Sequence, residues 1–350
     1  MKTREGIADL VDGCGSRVSS DSQKAEILNN FFCSVFTKEN MENVPECKKK
    51  QCHTSLSSVE FTKESVLKKL QNLNPGKSPG FHPQVLKELA EELAEPVPLI
   101  FSKSLAEGKL PESRKDANVT PFFKKGDKSK PGNYHPVSLT SVLGKVMESI
   151  IKDRVVEHME SNSFSSECQH GFIAKRSCTA NPLAVLDKWT ESLDRCTPVD
   201  AVSLDFSKAF DSVPHHCLLF KLKSYGIGQS GLAWIKDCLL GRRQRVGVNG
   251  TYSDWVPVTS GVPQGSVLGP VLFVVSINDL PDIVNSLCQM YADDVKVVAE
   301  VEKESVAKLQ QDLDMLVEWA DLWQLRFNAD KCKVLHLGQN NPKLSNRPTA

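Results

Sequence analysis

Asp293 and Asp294 are adjacent carboxylates in Tyr291-Ala292-Asp293-Asp294, set between the apolar stretches 287–290 and 295–299. Two apolar runs joined by so short a polar step read as two strands and a tight hairpin with its acids at the tip. Like charges held that close are costly without a cation, so a metal site is one reading. An aspartate pair hydrogen-bonding its own backbone in a solvated turn is the other. A second strand pattern covers 197–206, where Val202, Leu204 and Phe206 face one way and Ala201, Ser203 and Asp205 the other. That strand ends with a carboxylate on its more polar face. Three carboxylates from two neighbouring strands are what a pair of Mg²⁺ ions needs to clamp the attacking and leaving oxygens of a phosphoryl transfer.

Other residues with chemical potential flank these. Gly261-Val262-Pro263-Gln264-Gly265-Ser266-Val267-Leu268-Gly269-Pro270 is a Gly/Pro-rich loop feeding an apolar helix. It is suited to close approach of a ligand, or simply to a connecting turn. The lysine-rich turn 124–130 follows a β-type run at 118–123 and is either a solvated loop or a tip that meets phosphates. Arg242, Arg243 and Arg245 precede Asn249-Gly250, a strong hairpin signal between strand-like runs 245–248 and 252–258. They are candidates for tracking a nucleic-acid backbone.

The elements that position these groups are mostly helical. Apolar spacing predicts helices over 25–36 after a Ser22 cap, from Thr62 to a break at Asn74-Pro75-Gly76, over 85–93 and over 98–106. Leu143, Val146, Met147, Ile150, Ile151 and Val155 form one stripe of a helix over 142–159. Pro214 opens a helix running to about Tyr225, another covers 302–325, and a last strand covers 333–337. The alternation of helices with antiparallel hairpins makes the chain α+β. Residues 1–55 read as a leader or linker.

Bulk properties constrain the partners. The chain has 350 residues, 40% of them hydrophobic and 25% charged, with 43 basic residues balancing 43 acidic ones. No global field attracts a polyanion, so nucleic-acid binding must come from local patches. Eleven cysteines are scattered without a Cys-x-x-Cys pair, which points to a reducing, intracellular setting. Cys47, Cys52 and His53 cluster but lack a second ligand pair at zinc spacing. The longest apolar run, 267–277, is too short to span a bilayer.

Taken in order, Asp205-Phe206-Ser207-Lys208-Ala209-Phe210-Asp211, then Pro263-Gln264-Gly265-Ser266-Val267-Leu268-Gly269-Pro270, then Tyr291-Ala292-Asp293-Asp294 resemble the reverse transcriptase of non-LTR (LINE-type) retrotransposons. The resemblance covers about residues 60–345. It implies a right-hand polymerase fold with fingers and palm, an antiparallel sheet backed by helices, and a thumb largely missing. Residues 56–200 would be fingers and N-terminal extension, 201–338 the palm and 339–350 the truncated start of the thumb, with the reverse transcriptase domain at about 115–350. Asp205, Asp293 and Asp294, with the Phe206 backbone carbonyl, would bind two Mg²⁺ ions, or Mn²⁺ in their place. Phe210 would be a steric gate against a ribose 2′-OH. Gln264 and Gly265 would line the nucleotide pocket, Lys124, Lys125 and His135 would face the triphosphate, and Lys331 would be a general acid near pyrophosphate. Asp211 reads as capping or structural. RNA template, DNA primer and dNTPs are the implied partners, no membrane is implied, and the location is nucleus or cytoplasm.

The chain departs from the family pattern in three places. His135 stands where an arginine usually contacts the triphosphate, and a neutral imidazole cannot fork onto a phosphate. A proline, an aspartate and a glycine expected between Lys77-Ser78-Pro79-Gly80 and Phe81-His82-Pro83 are missing. Gly171-Phe172-Ile173-Ala174-Lys175-Arg176-Ser177 lacks a glycine before the arginine. These departures carry an alternative expectation: a truncated, decayed and catalytically impaired copy.

Overall fold

The computed structural model describes residues 6–42, 44–45, 50, 52–53, 55–74, 83–173, 176, 180–301 and 306–343. Expectations placed on Cys47, on residues 75–82, on Ala174, Lys175 and Ser177, on residues 302–305 and beyond residue 343 lie outside them. The first part of the chain runs β1 (Leu10–Val11), β2 (Arg17–Val18), α1 (Asp21–Ser34), α2 (Lys63–Gln71), α3 (Pro83–Glu88), α4 (Ala90–Leu93), α5 (Pro96–Glu107), β3 (Asp116–Phe123) and β4 (Tyr134–Leu139). Then come α6 (Val142–Ser161), α7 (Ala180–Asp194), β5 (Val199–Asp205), α8 (Ala209–Ser212), α9 (His215–Ser224), α10 (Gln229–Leu239), β6 (Arg243–Val248), β7 (Thr251–Tyr252) and β8 (Val256–Pro257). The last elements are α11 (Gly269–Ser276), β9 (Leu287–Tyr291), β10 (Asp294–Glu300), α12 (Val306–Leu322) and β11 (Lys333–Leu337).

Two sheets organise these elements. One has the order β11-β5-β10-β9, with every neighbouring pair antiparallel. The other has the order β4-β3-β6-β7, with β8 also on β6 and a parallel pairing between β3 and β6. The expected hairpin at Asn249-Gly250 forms, but its return strand is split in two. Ser253 interrupts it by donating its own N–H to the Val246 carbonyl while its hydroxyl takes the Val246 N–H.

The central strand β5 is buried on both faces at its start. Val202, Leu204 and Phe206 join the main core with Met147, Ile151, Phe273 and Val297. Val199 and Ala201, on the face expected to be more polar, pack with Val298 and with Val185 of α7. Only toward Asp205 does that face open, so the strand delivers its acid at the rim of the sheet. Lys221 of α9 shows how tightly the helices close behind: it is buried, donates to the Ser276 carbonyl and to Asp279, and lies over Trp323. A buried ammonium is tolerated because acceptors and ring faces replace its water.

The N-terminal segment, read from sequence as leader or linker, is packed. α1 starts a turn earlier than expected, after Ser20, and sets Ala25, Leu28 and Phe32 against Val119, Tyr134, Val246 and Val248. Buried Asn29 donates to the Asp254 carbonyl and accepts from Gln244. Leu28→Ala should therefore cost about 2–5 kcal/mol in denaturant unfolding. A loss near zero would restore the description of α1 as a loose leader.

Candidate active site

The turn at 291–294 is built by pairing on both sides. In β9–β10 Tyr291 sits opposite Asp294, and in β5–β10 Asp294 sits opposite Asp205. Two residues close the hairpin, and Ala292 has a φ of 55° while Asp293 does not have a positive φ. That is the pattern of a type II′ turn, whose first central position normally takes glycine. Alanine there is strained by about 1 kcal/mol or more.

Asp205, Asp293 and Asp294 thus meet at one end of the four-stranded sheet. Asp293 is largely buried, and burial first, then the nearby Asp294 and Asp205, push its carboxyl above the usual carboxylate range. Lys331 donates to Asp205 at 2.8 Å from the loop after α12. Among the described residues no three acidic, His or Cys groups already converge as a metal cage. The donor set nonetheless fits Mg²⁺: hard carboxylate oxygens brought close enough to repel one another.

Phe206 is buried and stacks on Phe327 at 4.6 Å between ring centres. Asn328 N–H donates to the Asp205 carbonyl and Ser207 N–H to the Arg326 carbonyl, so the ladder alternation turns the Phe206 carbonyl away from 326–328. Phe210 is half-buried between Phe273, stacked at 4.8 Å, and Phe172, edge-on at 6.4 Å. The loop after β8 rests on this turn: Val262 N–H donates to the Phe210 carbonyl, and Gln264 Nε2 donates to Asp211 Oδ1 at 2.9 Å. Gly265 has a φ of 106°, and a Cβ there would stand 2.6 Å from the Ser138 carbonyl oxygen. Its missing side chain is therefore already required for packing the loop against β4. Asp211 belongs to α8 and ties the loop to it through Gln264, while α9 is preceded by Pro214 without a side-chain cap. Neither α8 nor α9 takes a side-chain cap from it.

A group of lysines gathers around His135, beside the acids. Lys124, Lys208 and Lys331 all depress the His135 imidazole, after burial as the larger cause. Lys124 also favours the charged form of Asp293. Lys208, missed in the sequence, is half-buried over the Phe31 ring, and its own ammonium is lowered by burial. Its signal was a lysine inside the motif that carries Asp205. Lys125 is exposed in the β3–β4 turn and takes no part in this cluster among the described contacts.

The three arginines lie away from the acids. Arg242 is buried and donates to the Cys238 carbonyl near Glu148, whose carboxyl, raised by burial, accepts from Val267 and Leu268 N–H. Arg243 forks onto Asp116, and Arg245 donates to Asn118 while stacking on Tyr252 and Trp255. Each guanidinium is engaged by protein.

A family model described as reverse transcriptase (RNA-dependent DNA polymerase) matches residues 123–346. The chain belongs to that family. It is 30% identical over 330 residues to the RNA-directed DNA polymerase from mobile element jockey of Drosophila melanogaster, covering 89% of this chain and 36% of that protein. It is 30% identical over 292 residues to the jockey protein of Drosophila funebris, covering 79% and 32%. To the probable RNA-directed DNA polymerase from transposon X-element of Drosophila melanogaster it is 27% identical over 343 residues, covering 93% and 37%. The chain thus spans about a third of the length of these curated relatives, and it resembles the reverse transcriptase domain of LINE-type, non-LTR elements. Among the described residues no helix is long and apolar enough to cross a membrane, and every cysteine is a free thiol.

Burial pushes the Asp211 carboxyl up to about 6 from an ordinary 3.8. The folded state then holds a proton that the unfolded state has released, so stability from this group is present below pH 4 and lost as pH rises through 6. Two pH units correspond to about 3 kcal/mol at most. Asp211→Asn should flatten the fall in melting temperature between pH 4 and 7, and an unchanged profile would overturn the assignment.

Proposed function

We propose that this reverse transcriptase domain is an RNA-directed DNA polymerase that extends a DNA primer 3′-OH on an RNA template by attack on a deoxynucleoside triphosphate. The single observation that carries this reading is the cross-strand pairing of Asp205 with Asp294 beside Asp293, with Lys331 on Asp205 and Lys124 acting on Asp293. In this reading the four-stranded sheet is the palm and the five-stranded sheet, with α1 on it, belongs to the fingers. The fold-level names rest on family likeness.

Asp205, Asp293 and Asp294 would hold two Mg²⁺ ions, with the Phe206 carbonyl as a further oxygen donor. When bound, the ions supply charge neutralisation at the attacking and leaving oxygens. The chain's own residues do the rest. Lys124 and Lys208 attract and orient the triphosphate as point charges. Phe210, held between Phe172 and Phe273, excludes a 2′-OH by size. Lys331, which donates to Asp205 at the edge of the site, would supply the proton that the leaving pyrophosphate takes up. The raised Asp293 carboxyl must lose its proton before it can hold a cation, so at limiting Mg²⁺ activity should decline on the acid side at a higher pH than an ordinary aspartate gives, and saturating Mg²⁺ should move that decline back down.

A second reading, an impaired remnant, is favoured by His135. With burial and three lysines depressing it, the imidazole is neutral at physiological pH and contributes no charge toward a phosphate. The two readings separate in primer extension on an RNA template with dNTPs and Mg²⁺. Wild-type extension that Asp293→Asn abolishes supports the enzyme. Extension seen only in His135→Arg supports the remnant, and primer extension of equal, non-zero rate in wild type and Asp293→Asn would sink both.

A further inference from the structure

We propose that Gln169 is a positioning residue that holds the strained turn at 291–294 and thereby fixes Asp293 and Asp294 against Asp205. The inference rests on the reading of these carboxylates as metal ligands. Gln169 follows α6 in sequence, lies far from the hairpin in the chain and is fully buried. Its Oε1 accepts from Ala292 N–H at 2.9 Å and from Gly171 N–H at 2.7 Å, and its Nε2 donates to the Ala292 carbonyl at 3.3 Å. Both backbone polar groups of the one residue in the turn with positive φ are thus held by a single side chain.

The clamp is itself anchored. Residues 168–170 pair with β9: His170 N–H donates to the Met290 carbonyl at 2.9 Å and Met290 N–H to the Cys168 carbonyl at 2.8 Å. Arg176 Nη1 donates to the carbonyls of Ser166, Glu167 and Gln169, which fixes the loop from outside. At Gly171 a Cβ would stand 2.3 Å from Ala292 N, so only glycine lets this loop close on the turn. An alanine at positive φ reverts to an ordinary conformation unless its surroundings over-determine it. Gln169 and the Gly171 backbone supply that constraint. Relaxation of Ala292 would swing Asp293 away from its neighbours, and metal affinity would fall because ligand spacing is lost.

The test uses Gln169→Leu, which keeps volume and removes all three bonds, and Gln169→Glu, which keeps the acceptor and loses the donor. Amide hydrogen exchange at Ala292 should accelerate about tenfold in Gln169→Leu, the loss of a hydrogen bond of roughly 1.4 kcal/mol, with the amides of β5 unchanged. Mg²⁺ binding by calorimetry should weaken, less so in Gln169→Glu, and in extension assays the half-saturating Mg²⁺ concentration should rise with little change in dNTP KM. Adding Ala292→Gly to Gln169→Leu should recover part of the Mg²⁺ affinity, because glycine takes the positive φ unaided. Unchanged exchange at Ala292, or faster exchange with unchanged Mg²⁺ affinity, overturns the proposal. Should Gln169→Leu fail to fold, Gln169→Glu carries both measurements. If the wild type binds no Mg²⁺ and extends no primer, the parent reading fails instead, and exchange at Ala292 alone judges the clamp.

Discussion

Everything at the site depends on the register between β5 and β10. Side chains alternate across a strand, so a slip of one residue would move Asp294 from the face it shares with Asp205 to the opposite one. The register is held by burial: Val202, Leu204, Val295 and Val297 are locked in the main core, and Val199, Ala201 and Val298 in a smaller one behind α7. Apolar area removed from water on both faces makes a slip costly, and that stability is what allows acids to crowd at the strand ends. The repulsion among three carboxylates is small beside the burial that fixes their backbone.

The second organising feature is local charge in a chain with none overall. Acids gather at the end of one sheet, and lysines gather near the β3–β4 turn and the loops after β5 and α12. His135 sits beside these lysines, and burial first, then their charge, holds its imidazole below the ordinary histidine range. Arg242, Arg243 and Arg245 illustrate the opposite outcome. A guanidinium beside Asp116, Asn118 or Glu148 serves the joint between β3, β6 and α6 instead of the open face.

Much of this was legible in the sequence because strand alternation and turn chemistry are local. The strand ending in Asp205, the hairpin at 291–294, the helix after Thr62 and the strand Lys333–Leu337 follow from spacing alone. α7 escaped because its apolar residues divide between two faces: Val185 and Trp189 turn inward while Leu183 and Leu186 are exposed. α10 escaped because Gly228 and Gly231 make its start read as a loop. Gln169 and Lys208 act through contacts distant in sequence, and no period or motif spacing encodes those. The burial of α1 was hidden for the same reason: its partner strand lies in the far half of the chain.

That last separation has a kinetic side. Asn29 and Gln244 stand 215 positions apart and meet in one buried hydrogen bond. During synthesis α1 leaves the ribosome long before β6 exists, with Leu28 and Phe32 uncovered. Closing so long a loop is slow compared with forming local helices, and the exposed stripe is open to wrong partners in the meantime. The sheet that carries the lysine-bearing turn therefore cannot close until β6 has been made, and the sheet that carries the acids, which needs β11, is completed later still.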